Sequence, residues 1–450
     1  MLISEVSKPA VRRERRSPSD LAHRFANGDV TVGVIGLGYV GLPFAVAFAE
    51  ADIPVLGFDI QPHRVEAFNE GRSYVADVPS ERLAAAVRTR RIRATGDRSL
   101  LSEPDALIVC VPTPLTKNRE PDLSYVIQES EEIARRLRSG QLVVLMSTTF
   151  PGTTEEIVLP ILSQSGLQVE RDFFLAYCPE RLDPGNRAFT IRTTPRLVGG
   201  IGPVSARLVR ALYAHVTDQI VPVGSPRIAE MAKVFENVFR SVNIALVNEL
   251  AQLCEKMGLS VWQVIEAAAT KPYGFLPFWP GPGVGGHCIP LDPYYLASKA
   301  REYEFHTRFI ELAADINEQM PHYVARRVAD LLNGRRKSVS GARILLLGVA
   351  YKRDLGDIRE SPALRVFSVL RSWGAEVSYH DPYVPEVRVS GERIASVPLD
   401  RERLSGADCV VITTDHGTVD YAEVIAHAPV VFDARGATRH LSSAPNVARL

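Results

Sequence analysis

The residues best placed to do covalent chemistry lie in one loop. Cys288 closes the run Gly285-Gly286-His287-Cys288, with Asp292 just downstream, inside a stretch from 271 to 288 crowded with Gly and Pro. A loop so rich in stiff, turn-forming residues within a compact protein is generally functional. A thiolate there can add to an aldehyde and then carry the acyl group as a thioester, which water cleaves. That chemistry needs a donor for the developing oxyanion and a group that handles water. Lys233 and Asn237, spaced i, i+4 in a helical stretch, share one helix face, and both donate hydrogen bonds. On composition alone the same pair also fits a solvated face. Cys110, Cys254 and Cys409 fall in strands or on a helix face and read as small buried hydrophobes. Cys178, beside Pro179 and Glu180, stays open between the two readings.

A second constellation would bind a dinucleotide. Gly36-x-Gly38-x-x-Gly41 sits between a β-branched run and a helical one. The first glycine allows the tight turn, the second lets backbone approach a pyrophosphate, and the third lets helix pack on strand. The helix N-terminus adds unpaired N–H groups and partial positive charge. Asp59 ends the next strand, where a carboxylate binds ribose hydroxyls and repels a 2′-phosphate, which favours NAD over NADP. Arg64 nearby softens that preference. Thr113 and Thr149 follow two further strands at the carboxyl edge of the sheet and are candidate cofactor contacts. Each equally suits a turn-forming threonine.

These groups need a scaffold, and the pattern supplies one. Residues 30–35, 54–58, 107–111, 142–146, 173–177 and 196–198 read as buried strands alternating with helices, the mark of a doubly wound parallel sheet. Residues 229–257 and 304–332 read as long helices, the second with a break near Pro321. From 342 the α/β rhythm returns, with strands at 344–347, 376–379, 410–413 and 430–432. The expected organisation is a flexible tail over 1–27, a NAD-binding Rossmann domain over 28–224, a helical central domain over 225–335, and a second α/β domain over 336–450. Residues 31–49 carry no charge, yet their glycines and Pro43 divide them into strand, turn and helix, so no membrane span is expected.

Composition narrows the class of partner. The chain has 450 residues, with 52 Lys plus Arg against 52 Asp plus Glu. Zero net charge removes the main electrostatic reason to expect nucleic acid or an anionic membrane as partner. Five cysteines without a C-x-x-C pair argue against a disulfide framework and against a zinc site, and fit a reducing cytoplasm. No metal is expected.

Taken in order, the motifs resemble the UDP-glucose/GDP-mannose dehydrogenase family over nearly the whole chain. They are Gly36-Leu37-Gly38-Tyr39-Val40-Gly41-Leu42-Pro43, Val111-Pro112-Thr113-Pro114, Cys178-Pro179-Glu180, Lys233 with Asn237, Gly285-Gly286-His287-Cys288 with Asp292, and Tyr351-Lys352 leading to Asp357-Ile358-Arg359-Glu360-Ser361-Pro362. The resemblance implies two Rossmann-like doubly wound domains joined by a long central helix, with 225–335 as the dimerisation domain of a homodimer built around that helix and 336–450 as a nucleotide-sugar-binding Rossmann-like domain. It implies four-electron oxidation of a sugar C6 alcohol to a carboxylate with two NAD molecules. Cys288 would be the nucleophile. Lys233 and Asn237 would hold the C6 oxygen, Asp292 would position or activate water, and Glu180 would be a general base or water-positioning residue. Tyr39 and Val40 would join the glycines at NAD, and Arg359 would approach it. Arg181 and Leu182, Phe278, Gly283, Gly285, Gly286 and Lys352 would contact the nucleotide sugar.

The sequence departs from the UDP-glucose branch. Pro184 stands where a second Glu is usual, Leu291 replaces a Lys before Asp292, and no arginine matches the one expected from a partner subunit upstream of the thiol. These features, with Pro280-Gly281-Pro282-Gly283, look more like enzymes oxidising UDP-N-acetylglucosamine. UDP-glucose and dTDP-glucose are the alternatives, along with N-acetyl-galacto and -manno isomers. A two-electron β-hydroxyacid dehydrogenase, which needs neither the thiol nor a second α/β domain, and a non-enzymatic NAD-binding scaffold are the competing classes.

Overall fold

A computed structural model describes residues 17–75, 77–116, 118–183, 185, 186, 188–442 and 444–450. The basic run at 11–16 and Pro184 lie outside them. The chain forms two compact units that divide between Val234 and Phe235, inside the 32-residue helix Pro226–Met257.

The first unit is built on eight strands: β1 (Val32–Ile35), β2 (Val55–Phe58), β3 (Ile92–Thr95), β4 (Ala106–Val109), β5 (Leu142–Leu145), β6 (Phe174–Tyr177), β7 (Arg196–Gly200) and β8 (Ile220–Pro222). Their order is β3-β2-β1-β4-β5-β6-β7-β8, parallel except where β7 turns back on β6. The first six follow the dinucleotide-binding order, with the chain reversing direction across the sheet between β1 and β4. Alternation along the strands feeds two cores. Val32, Val34, Ile108 and Val144 pack on one face, and Ile35, Leu107, Val109 and Leu145 on the other. Burial on both faces explains why these strands read as continuous apolar runs. The register aligns Ile35 with Phe58 and Val109, so the turns after β1, β2 and β4 emerge together at one edge.

The segment just before β1 corrects one expectation. Pro18–Asn27, taken with the flexible tail, is a helix. Ser17 caps it, Pro18 occupies its first turn, and Gly28 ends it at φ 78°. Leu21 and Phe25, one turn apart, are buried, and Arg24 pairs with Asp105 at 3.1 Å.

The second unit holds β9 (Arg343–Leu347), β10 (Glu376–His380), a hairpin of β11 (Glu386–Val389) and β12 (Glu392–Ala395), then β13 (Cys409–Ile412), β14 (Val431–Asp433) and β15 (Val447–Arg449). The five-stranded sheet runs β10-β9-β13-β14-β15, all parallel, the other common doubly wound order. One face (Ile344, Leu346, Val411, Phe432) shares a core with helical residues Val247, Ala251, Val324 and Val328. The opposite face (Leu345, Leu347, Val410, Ile412) packs on Leu404 and Val424. The helix Arg308–Gly334 runs unbroken through Pro321, which corrects the break expected there. Proline in a helix costs about 3 kcal/mol, and the buried run Met320, Pro321, Val324, Ala325 and Val328 offsets it.

Candidate active site

In the first unit the glycine turn has the geometry its spacing implies. Gly36 has φ 88°, and a Cβ there would sit 2.7 Å from the Cys110 carbonyl oxygen. A Cβ at Gly41 would lie 1.9 Å from the Gly36 oxygen, so helix Gly41–Glu50 can start there only as glycine. A Cβ at Gly38 would meet nothing within 4 Å. That open space above the turn, at a helix start without a side-chain cap, is where a pyrophosphate fits. Tyr39 is exposed beside it.

Asp59 is buried at the end of β2, with a second function. Its carboxylate accepts from the Leu37 N–H at 3.0 Å and the Gln61 N–H at 2.9 Å, so it fixes the glycine turn. Arg64 Nη1 lies 3.7 Å from it. Sequence reasoning missed Tyr74, whose hydroxyl donates to the Leu37 carbonyl at 2.8 Å, closing the same turn from the other side. Burial, and then the Asp59 charge, push the Tyr74 phenol well up, so it stays protonated and donates. Thr113 donates to the Thr148 carbonyl at 2.7 Å. Thr149 is fully buried, and its hydroxyl has no hydrogen-bond partner among the described residues. An unmade buried bond costs about 1–3 kcal/mol. The open Gly38 and the Thr149 hydroxyl both fit a bound dinucleotide.

Glu180, also in this unit, is more committed than expected. Arg196 on β7 is fully buried, and its two terminal nitrogens lie 3.1 and 3.3 Å from the Glu180 oxygens. The N–H groups of Arg181 and Leu182 donate to Glu180 Oε1 at 2.8 and 2.6 Å. Arg181 itself donates to the Pro195 carbonyl at 2.7 Å. A carboxylate held by four donors shapes its loop and is fixed in orientation. Arg196 also stacks 4.5 Å from the centre of the Phe44 ring, in the helix of the glycine turn. Nothing near Arg196 in sequence announced this, since both partners come from other elements.

In the second unit the reactive loop is fixed from several sides. The Cys288 carbonyl accepts from Leu291 at 3.0 Å and Asp292 at 2.8 Å, a turn that sets Asp292 at the start of helix Asp292–Arg301. Asp292 is buried and accepts a short hydrogen bond from the amide of Asn237, which is also buried. Lys233, on the part of the long helix that belongs to the first unit, is buried, which counts against a solvated face for it. The Gly286 N–H donates to the Arg359 carbonyl at 2.9 Å. A Cβ at Gly285 would lie 2.5 Å from Tyr351 Cβ, and one at Gly286 3.1 Å from its ring. Gly283 has φ 130°. Phe278 packs edge-on against Phe239 at 5.7 Å.

Two asparagines that the sequence reading overlooked tie this loop to the helices. Asn248 donates to Asn317 at 3.0 Å and accepts from the Gly281 N–H at 3.0 Å, and Asn317 donates to the Ser241 carbonyl at 3.0 Å. Lys352 is half-buried on the loop after β9. Arg359 forms an ion pair with Asp357 at 2.5 Å.

None of the five cysteines forms a disulfide. Burial pushes the thiols of Cys178 and Cys409 up to about 12 and that of Cys110 higher still. Those three stay protonated at neutral pH, which resolves Cys178 as a buried hydrophobe. Cys254 is buried, whereas Cys288 is half-exposed in the glycine-rich loop. Among the described residues, no three or more His, Cys, Asp or Glu gather as a metal site, and no helix is long and apolar enough to cross a membrane.

A dinucleotide fold, a second doubly wound sheet and a glycine-rich loop braced by Asn237 and Asp292 together define an NAD-dependent dehydrogenase. Comparison with known proteins makes the class specific. Residues 30–217, 227–319 and 345–440 match, in turn, the NAD binding, central and UDP binding domains of the UDP-glucose/GDP-mannose dehydrogenase family. The chain belongs to that family and is an NAD-dependent nucleotide-sugar dehydrogenase. It is 38% identical over 358 residues to UDP-N-acetyl-D-glucosamine 6-dehydrogenase of Pseudomonas aeruginosa, covering 79% of this chain and 83% of that one. It is 36% identical over 386 residues to UDP-N-acetyl-D-mannosamine dehydrogenase of Pyrococcus horikoshii, covering 86% and 89%. The solved structure of a UDP-D-ManNAc dehydrogenase from Pyrococcus horikoshii superimposes with a TM-score of 0.85 at 33% identity, covering 93% of this chain and 98% of that one.

Proposed function

We propose that this enzyme oxidises the C6 alcohol of UDP-N-acetylglucosamine to the carboxylate, in two hydride transfers joined by a covalent intermediate on Cys288. The observation that carries the chemistry is the buried Asn237–Asp292 pair, fixed by the turn that begins at Cys288. Support for the acetamido sugar comes from the Pro-Gly run at 280–283, from Pro184 and Leu291 in place of the Glu and Lys of the UDP-glucose branch, and from the 38% identical relative.

NAD, when bound, would supply the hydride acceptor; the protein's own residues do the rest. Gly36, Gly38, Gly41 and Asp59 hold the cofactor, with Tyr39, Val40, Arg64, Thr113, Thr149 and Arg359 around it. Lys233 and Asn237 hold the C6 oxygen, and Lys233 carries the positive charge that an alkoxide requires. As the first hydride leaves C6, the hydroxyl proton passes to water, and an aldehyde results. The Cys288 sulfur then bonds to C6, and the oxygen of the resulting thiohemiacetal stays on the same donors. Loss of the second hydride from C6 leaves a thioester on Cys288. Water adds, the C–S bond breaks, and the thiol leaves with a proton. Asp292, oriented by Asn237, takes the proton from that water, and Glu180 orients the loop of Arg181 and Leu182 against the sugar. Phe278, Gly283, Gly285, Gly286 and Lys352 enclose the nucleotide sugar. The product is a uronic acid nucleotide suited to polysaccharide assembly.

The enzyme acts as a cytoplasmic homodimer. Phe235, Phe239, Leu246, Leu253 and Met257 form an exposed apolar stripe on one face of the long helix, and a second copy of that face would bury it. The epimeric UDP-N-acetylmannosamine is the second reading, favoured by the 36% identical relative. A substrate panel separates them: UDP sugars with and without the C2 acetamido group, in gluco, galacto and manno forms, plus dTDP-glucose. The highest kcat/KM falls on UDP-N-acetylglucosamine. A preference for an unacetylated sugar would overturn the substrate assignment.

A further inference from the structure

The sugar-side loop of the second unit is fastened at both ends by one buried histidine. His416 follows β13 and is fully buried. The Asp354 N–H donates to its Nδ1 at 3.0 Å, so that nitrogen is an acceptor. The proton of the neutral ring must then sit on Nε2, which lies 3.1 Å from Asp381 Oδ2 and donates to it. Asp381 ends β10, and the same oxygen accepts from the Val349 and Ala350 N–H groups at 2.7 and 3.0 Å. Two bonds through one imidazole therefore clamp the loop 349–354 at its start and its end. The Tyr383 ring lies 5.0 Å from the imidazole and completes its enclosure.

Between the two clamped ends stand Tyr351 and Lys352. Tyr351 is the surface on which the reactive loop rests: a Cβ at Gly285 would sit 2.5 Å from its Cβ, closer than a side chain allows, and Gly286, at φ 87°, packs tightly against its ring. Cys288 follows two residues later. We propose that His416 is a positioning residue for Cys288, acting through the loop 349–354 and Tyr351. Side chains set on well-packed backbone hold reactive geometry, and a misplacement of about 1 Å costs about a hundredfold in rate. This inference rests on the reading of Cys288 as the nucleophile.

The test uses the full-length enzyme and three variants. His416→Phe keeps the ring volume and removes both bonds. His416→Asn keeps an acceptor near Nδ1, and His416→Gln keeps a donor near Nε2. Two readouts are taken: kcat and KM from NADH formation, and the iodoacetamide alkylation rate of the Cys288 peptide by mass spectrometry, with Cys288→Ser as blank. His416→Phe is expected to lower kcat about tenfold to a hundredfold, to change the alkylation rate severalfold, and to leave KM for NAD within twofold. His416→Asn and His416→Gln should each recover part of the loss. Adding Tyr351→Ala to His416→Phe should cost little more than the worse single change, because both act on one path. If His416→Phe does not fold, the Asn and Gln variants decide. Wild-type kcat and alkylation in both, or in a folded His416→Phe, would overturn the proposal. If the wild type makes no NADH from any nucleotide sugar, the functional reading fails, while the alkylation rates still judge the role of His416.

Discussion

The amide of Asn237 donates to the carboxylate of Asp292, and both side chains are buried where the turn from Cys288 enters a helix. The bond joins the long helix to the reactive loop and helps orient Asp292. Asn237→Ala removes that donor and leaves a buried carboxylate short of a bond. Stability should fall by about 1–3 kcal/mol, and kcat by about a hundredfold to a thousandfold, the usual cost of losing one oxyanion donor. Asp292→Asn should lose kcat with a smaller change in urea midpoint. If Asn237→Ala leaves kcat intact, the amide is structural only.

The glycine turn makes a contrast that two alanine variants can read. Gly38→Ala places its methyl in open space, whereas Gly41→Ala drives a methyl to 1.9 Å from the Gly36 oxygen. Gly38→Ala should fold with an unchanged melting temperature and a KM for NAD raised at least about tenfold, by blocking close approach of the pyrophosphate. Gly41→Ala should lose both NAD binding and stability. Equal NAD affinity in Gly38→Ala and wild type would mean the pyrophosphate lies elsewhere.

Asp105 links acid stability to the N-terminal helix. Burial alone would raise its carboxyl, but Arg24, the Thr31 N–H and Arg138 outweigh that and hold it below the ordinary range. A lowered folded value contributes stability above the unfolded value of about 3.9 and loses it as pH falls further. Asp105→Asn should therefore be less stable at neutral pH, and the gap should close as the pH falls below the unfolded value of about 3.9. Urea midpoints across that range check it; a gap that stays constant would assign the role of Asp105 to packing.

The apolar stripe on the long helix gives a direct assembly test. Leu246 and Leu253 are more than half exposed in the single chain. Leu246→Glu with Leu253→Glu should convert a dimer to a monomer by light scattering. A wild-type chain that is monomeric at micromolar concentration would remove the dimer from the account.

What could be read from the sequence follows the range of each interaction. The glycine turn, Asp59 and the Gly-Gly-His-Cys run were legible because the constraint lies within a few residues. Lys233 and Asn237 were legible as a pair, but not as buried, since their cover comes from elsewhere in the chain. Tyr74, Arg196, Asn248, Asn317 and His416 were silent because each finds its partner on another element. The helix Pro18–Asn27 was hidden by the basic run before it, although Ser17, Pro18 and Gly28 carried its start and stop. Pro321 misled because local propensity predicts a break where tertiary packing keeps the helix whole.

The central claim is a covalent, two-stage oxidation at Cys288, and NADH counted per nucleotide sugar consumed tests it most directly. Wild-type enzyme with limiting UDP-N-acetylglucosamine should release two NADH per sugar and yield the carboxylate, while Cys288→Ser should release none beyond the first oxidation and yield no acid. Two NADH and full conversion to the acid by Cys288→Ser, or a single NADH from the wild type, would contradict it.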